Sequence, residues 1–392
     1  MSRIIVVGAG AIGSALAYRL AAAGAAVTLL EARDVAGGTS SATFSMTIAA
    51  RKTPRHHFDL AVAGAAEHRR LAHAVGGRSW LHEVAAYEWA TGDHDTEVVT
   101  GRVARLQEWG YPVEWIDGRG LLEAEPYLTV DPQETGPVAV YPQELWFDAP
   151  LMTRTLVAAA ERAGASVHID SPVTAVDRCA DRVVARTRDG QEHEGDAMVI
   201  CAGPRSDEVA RLAGCTIAVR GIPGLVVTSK PIAPRPLNGI VLLPQINLRP
   251  GPAGTVVAHS YTEEANLPQP LESPAESPST RRVVDHATRL LPAYGRAGVG
   301  SARVGIRPVP FDGLPIAGWL DDRQQIYTVT AHSGIALAPA LSLFASAEIL
   351  GGPEEPDLAS LRPHRRGLRD PDTAAVDEST REMNRMFAAG AR

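Results

Sequence analysis

At 392 residues, with 45% hydrophobic and 21% charged residues and a formal net charge of -7, the chain reads as a soluble globular protein, and a length prior of roughly 150 residues per domain favours two domains. Its Lys and Arg are scattered, which argues against a nucleic-acid partner, and no run reaches the roughly 18 unbroken apolar residues of a membrane span. Cys179, Cys201 and Cys215 lack metal spacing and read as reduced, mostly buried thiols in a cytoplasm, while "MSRIIVVGAG" is too short an apolar run for a signal peptide.

The first predicted unit is "RIIVVGAGAIGSALAYRLAAAGAAVTLLEAR" (3 to 33), a β-branched strand, a glycine turn, an Ala-rich helix and a second apolar strand ending at Glu31. Each part has a task in dinucleotide binding. Gly8 permits the tight turn, Gly10 lets backbone approach a pyrophosphate, and Gly13 allows helix and strand to pack closely. The helix start, with Ala11 and Ile12, offers unpaired N–H groups to the anion, and Glu31 can accept from ribose hydroxyls. A 2′-phosphate would be repelled by Glu31, so NADP is disfavoured, and NAD and FAD both remain open at this point.

"ARDVAGGTSSATFSM" (32 to 46) then brings Gly38, Thr39, Ser40 and Ser41, small residues able to wrap a further stretch of phosphate and ribitol. "SMTIAARKTPRHHFDLAVAGAAEHRRL" (45 to 71) ends in a helix, and its adjacent His56 and His57 point apart, so they give no metal spacing. "WFDAPLMTRTLVAAAERAGASVHID" (146 to 170) reads as a capped helix followed by a strand, and "VRGIPGLVVTSKPI" opens a β-rich stretch. The Pro- and Ser-rich "EEANLPQPLESPAESPST" (263 to 280) reads as a surface excursion or a lid before a helix at 280 to 291. In "GIRPVPFDGLPIAG" (305 to 318) a single Arg307 sits beside Pro308 and Pro310 ahead of a polar turn. "IYTVTAHSGIALAPALSLFASAEIL" closes the patterned part as buried strand, turn and apolar helix, the N–H groups of its start facing an electron-rich ligand.

The glycine turn, "LLEAR" and "GGTSS" in that order, with "RVGIRPVPFDGLPIAGW" and the closing helix, resemble the D-amino-acid oxidase superfamily of FAD-dependent amine oxidoreductases, which includes glycine oxidase and sarcosine oxidase. The resemblance is specific over 3 to 45 and 303 to 351 and weak between. It implies an α/β fold in which a Rossmann-like FAD-binding domain (1 to 85, 150 to 222 and 300 to 365) interleaves with a smaller α+β substrate domain. That domain (86 to 149 and 223 to 299) is expected to rest on a mainly antiparallel sheet, with a peripheral tail at 366 to 392.

By the same resemblance, Ala32 and Arg33 join Glu31 around the cofactor, Val173 contacts adenine, and Ala202 and Gly203 run beside it. Ser333, Gly334, Ile335 and Ala336 face the pyrimidine of the flavin ring, where donors stabilise negative charge. No Cys or His stands at the attachment positions of covalent relatives, so FAD is expected to be non-covalent. Arg307 falls where a family arginine grips the substrate carboxylate with its planar fork, its neighbouring prolines limiting its freedom. Arg51 and Lys52 lie where relatives place basic residues that hold a carboxylate or promote oxygen reduction. His332 is placed to donate a hydrogen bond or orient a water, and Tyr261, on a strand end, to wall the substrate pocket.

The implied reaction is oxidation of a C–N bond in an amino acid or related carboxylated amine by hydride transfer to flavin N5, giving an imine. Oxygen or another acceptor then takes the electrons. A flavin monooxygenase, an NAD-linked dehydrogenase and a non-catalytic flavoprotein subunit are the alternatives. No metal site is expected.

Overall fold

A computed structural model describes residues 2–265, 267 and 274–368. Its six-stranded sheet runs in the order Ile316–Trp319, Ile326–Thr330, Ala197–Ile200, Arg3–Val7, Ala26–Leu30, Ser166–His168. All neighbours are parallel except the Ile316–Trp319 edge. Parallel strands buried on both faces need apolar runs rather than alternation, and "RIIVV" supplies one. Ile4 and Val6 pack with Leu16, Leu20, Leu337 and Leu341 of two helices, Ala11–Ala22 and Gly334–Ile349. Ile5 and Val7 pack the other way, with Val176 and Val183 of a three-stranded sheet.

The eight-stranded sheet runs Val299–Pro310, Val219–Ser229, Val256–His259, Asn247–Pro250, Ile240–Leu242, Leu81–Trp89, Val138–Phe147, Glu114–Ile116. It is antiparallel except between Ile240–Leu242 and Leu81–Trp89. Here the strands alternate. Leu225, Val227, Leu248 and Ala258 pack on Val283 and Ala287 of the helix Pro278–Leu290, which Ser277 caps by accepting from the Thr280 N–H. The intervening side chains, including Val226 and Val257, face the opposite way and join the core of the six-stranded sheet. Polar members of that inward row therefore meet the half built on the six-stranded sheet.

Three expectations need adjustment or fall outside the described residues. Tyr261 does not end a strand but opens the short helix Tyr261–Ala265, just beyond Val256–His259. The Pro- and Ser-rich excursion includes residues 266 and 268–273, and the tail includes 369–392, which lie outside the described residues. The strand bearing Arg307 continues through Pro308 and Pro310, opposite Gly221 and Val219. It is an edge strand, where a missing N–H costs nothing in the ladder.

Candidate active site

The glycine turn is specified by close approach. Gly8 has φ +107°, and a Cβ there would lie 2.6 Å from the Cys201 carbonyl oxygen, while one on Gly13 would lie 1.9 Å from the Gly8 oxygen. Neither position admits a side chain, so strand, turn and helix are drawn together around bare backbone. The helix Ala11–Ala22 has no side-chain cap at Gly10 and no acid in its first turn, leaving a start suited to an anion. Ser40 Oγ accepts from the Ala11 N–H at 3.1 Å. Glu31 accepts from the Ala9 N–H at 2.7 Å and the Arg33 N–H at 2.9 Å. Ser171 N–H donates to the Glu31 carbonyl at 2.8 Å, which draws the segment leading to Val173 alongside the turn. Ala202 lies next to Gly8, and Gly203 follows with φ +57°. Ala32 and Gly38 are exposed nearby.

The second helix start arrives at the same place. A Cβ on Gly334 would stand 3.4 Å from Ile12 Cδ1, so the first turns of the two helices touch. Ser333 precedes Gly334 in the left-handed region at φ 59°, strain of the kind that collects at functional sites. Lys52, buried, donates to Ser333 Oγ at 2.9 Å, and His332 Nδ1 lies 3.5 Å from the same hydroxyl. Behind them His68 donates from Nε2 to the Ile335 carbonyl at 2.9 Å and stacks on Phe147, ring centroids 4.0 Å apart. Burial pushes the His68 pKa down to about 3, so it works as a neutral donor that fixes the helix start.

The loop Gly38–Ser45 connects this cradle to the eight-stranded sheet. Thr39 Oγ1 donates to the Ile306 carbonyl, a Cβ on Gly305 would meet the Ala42 oxygen at 2.5 Å, and Phe44 packs edge-on to His259. One residue beyond Ile306, Arg307 lies flat across the neighbouring strand at Gly224. A Cβ there would fall 2.4 Å from the Arg307 Cζ. The guanidinium reaches Glu264 Oε1 at 2.7 Å and the Pro223 carbonyl at 3.4 Å, with Tyr261 over it at 5.7 Å. Glu264 is itself held by the Leu225 N–H at 3.0 Å and lies 3.6 Å from His259 Nδ1, while Asn247 Nδ2 donates to His259 Nε2 at 3.2 Å. Burial works against both charges, but Arg307 holds the Glu264 carboxyl below its usual range, and Glu264 in turn raises the Arg307 pKa. Burial keeps His259 neutral against the pull of Glu264.

Arg51 and Lys52 diverge. Where Lys52 reaches the closing helix, Arg51 turns to Glu88, 2.5 Å away, which also takes Arg102 at 2.5 Å and the Tyr141 hydroxyl at 2.7 Å. Burial alone would raise the Glu88 pKa, but Arg51 and Arg102 hold it at about 2. Arg51 is thus locked in a buried ionic cluster.

The structure therefore groups Gly8–Gly13, Glu31, Ser40, Ala202 and Ser333–Ala336 around two helix starts, and sets Arg307 on the sheet across the connecting loop, with Tyr261 over it from the short helix Tyr261–Ala265. Sequence reasoning missed Glu264, His259, Gly224, His68 and Glu88. Alternation in "TVVAH" could have turned His259 inward with Val257, but nothing in the sequence pairs Glu264 with Arg307.

A family profile described as FAD dependent oxidoreductase (DAO) matches residues 3–349. The chain is 25% identical over 360 residues to a glycine oxidase of Geobacillus kaustophilus, covering 88% of this chain and 91% of that protein. It is 26% identical over 230 residues to a D-amino acid dehydrogenase of Methylobacterium radiotolerans, covering 54% of this chain and 51% of that one. The crystal structure of glycine oxidase from Geobacillus kaustophilus aligns with a TM-score of 0.83 at 22% identity, over 93% of this chain and 100% of the other. L-amino acid deaminase from Proteus vulgaris aligns with 0.82 at 17%, over 93% and 97%. At these identities the structures speak for the fold.

Proposed function

Because the chain belongs to the FAD dependent oxidoreductase family, we propose that it oxidises the C–N bond of an amino acid or related carboxylated amine to the imine. When bound, FAD supplies the hydride acceptor at N5 for hydrogen leaving the carbon beside nitrogen. The side-chain-free turn at Gly8 and Gly13 and a helix start with no acid in its first turn suit its pyrophosphate. On this reading Gly8–Gly13 and Ser40 would hold that group, Glu31 the ribose, Val173 the adenine side, and Ser333–Ala336 the ring, without a covalent bond. Family membership removes the NAD-linked alternative. The domain boundaries expected from the sequence are retained as part of this proposal.

Arg307 carries the substrate reading. Glu264 takes an N–H of Nη2 and the Pro223 carbonyl one of Nη1, which fixes the plane of the fork, and the remaining N–H groups, that of Nε among them, are left for a substrate carboxylate. A cation already oriented loses little freedom when it binds, which is how positioning lowers a barrier. Tyr261 would wall the cavity and keep water out. The amine enters the reaction as the neutral base, so Arg307 needs only to orient it, and no dedicated proton acceptor is required.

An anaerobic absorbance screen of the purified yellow protein tests this, using D-amino acids, glycine derivatives, N-methyl amino acids and cyclic imino acids. Bleaching by a carboxylated amine supports the reading, and no bleaching by any of them removes it. Re-aeration then sorts the acceptor. Colour that returns in air points to oxygen, with Lys52 as the candidate promoting cation, whereas colour that returns only with a quinone makes the protein a dehydrogenase. Three free cysteines suit a reducing, cytoplasmic site, which cell fractionation checks.

A further inference from the structure

Beyond Phe44, on the inward face of the eight-stranded sheet, lies a cavity of about 160 Å³. Its wall includes Arg249, Arg303, Thr228, Ser301 and Asp148. It shares Ser40 and Ser41 with the cofactor cradle, but Gly8–Gly13, Ala202, Gly203 and Ser333–Ala336 do not line it.

Arg249 is what sets this cavity apart. The side chain is buried, donates from Nε to the Phe44 carbonyl and from an Nη to the Pro250 carbonyl at 2.7 Å, and lies over the rings of Phe44 and Trp146 at 5.5 and 5.1 Å. Arg51, Arg102, Arg307 and Arg365, the last beside Asp312, each rest against a carboxylate. Among the described residues Arg249 has neutral carbonyls and rings but no carboxylate in ion-pair range. Asp148, the acid in the cavity wall, spends Oδ1 on the Leu151 N–H at 3.0 Å as a helix cap. A guanidinium withdrawn from water with only the more distant Asp148 to offset its charge is expensive, and burial lowers the Arg249 pKa to about 9 against the pull of Asp148. Arg303 reaches the Ser41 carbonyl at 3.4 Å and adds a second positive charge to the same space.

We infer that this cavity is a binding site for a small oxyanion, a carboxylate or a phosphate, with Arg249 as its main contact and Arg303 and the Ser and Thr hydroxyls completing it. The space is suited to a compact anion. Because Arg249 also holds the Phe44 carbonyl, and the Phe44 ring packs on His259 at 4.5 Å, an anion here would firm the loop that borders the Arg307 cluster.

The test is thermal unfolding of the holoenzyme titrated separately with inorganic phosphate and with acetate at constant ionic strength, a readout independent of turnover. A saturable rise in Tm of about 2–4 °C with at least one anion is expected, and which anion acts identifies the ligand's chemistry. Arg249→Met should abolish it. Since that change also removes the bonds to Phe44 and Pro250, Ser301→Glu serves as the second variant. By placing a carboxylate in the cavity beside an intact Arg249, it should raise Tm on its own and leave no further response to either anion. No saturable response in the unaltered protein, or one that survives Ser301→Glu unchanged, overturns the proposal.

Discussion

Between Gly8 and Gly13 the protein builds its cradle from backbone and missing side chains a few residues apart, whereas across the eight-stranded sheet Arg307 crosses Gly224 to meet a carboxylate 43 positions away. The first region obeys a local rule, since strand, turn and helix adjoin in sequence and a single Cβ would break them. The second depends on which strands become neighbours. A glycine serves both, at Gly8 and Gly13 to let backbone approach backbone, and at Gly224 to give a guanidinium room to lie down.

The contrast can be strained from either side. Glu88→Gln should have the largest effect, because it removes a buried negative charge that Arg51 and Arg102 share. Breaking such a cluster costs about 3–5 kcal/mol, to be read as lost stability in denaturant unfolding; a change within error would mean that side-chain charges contribute little to the sheet half. Gly13→Ala should act mainly on the cradle. With its Cβ 1.9 Å from the Gly8 oxygen, the turn must open, and an overpacking cost of about 1–3 kcal/mol translates into roughly 5- to 150-fold weaker FAD binding. Visible absorbance per protein measures it.

Gly224→Ala tests the other use of glycine. Its Cβ would displace Arg307, so KM for the carboxylated amine should rise about tenfold while FAD content stays the same. A KM unaltered by that substitution would uncouple Arg307 from the substrate. Near neutral pH the smallest effect belongs to His68, whose contribution shows on acidification. Its pKa falls from an ordinary 6.5 to about 3 in the folded protein, so the unfolded chain binds the extra proton between these values. Stability is then fully present above pH 6.5 and declines as pH drops toward 3. His68→Gln should reduce the slope of stability against pH in that window by about one proton, measured by denaturant unfolding across pH.

Much of the cradle was legible in the sequence because its signals are local. "RIIVVGAGAIG", the acidic end of the next strand and the apolar closing helix all adopt the expected elements. Arg307 stood out as a residue, but its setting did not. The prolines beside it suggested a clamp; in the structure Glu264 and the Pro223 carbonyl hold the side chain, and the prolines sit within an edge strand. Tyr261 was expected on a strand and opens a helix, since a lone aromatic carries no periodicity of its own. Glu264, Glu88 and Arg249 were invisible as site residues, because burial of a charge is decided by strand order rather than by neighbours in sequence.

The most direct measurement compares kcat/KM for the best carboxylated amine with that for the same amine lacking its carboxylate, in the unaltered enzyme and in Arg307→Lys. Losing the planar fork should cut the preference for the carboxylated compound by about tenfold or more, with the flavin spectrum unchanged. An unaltered preference in the lysine variant, or no preference in either protein, would contradict the role given to Arg307.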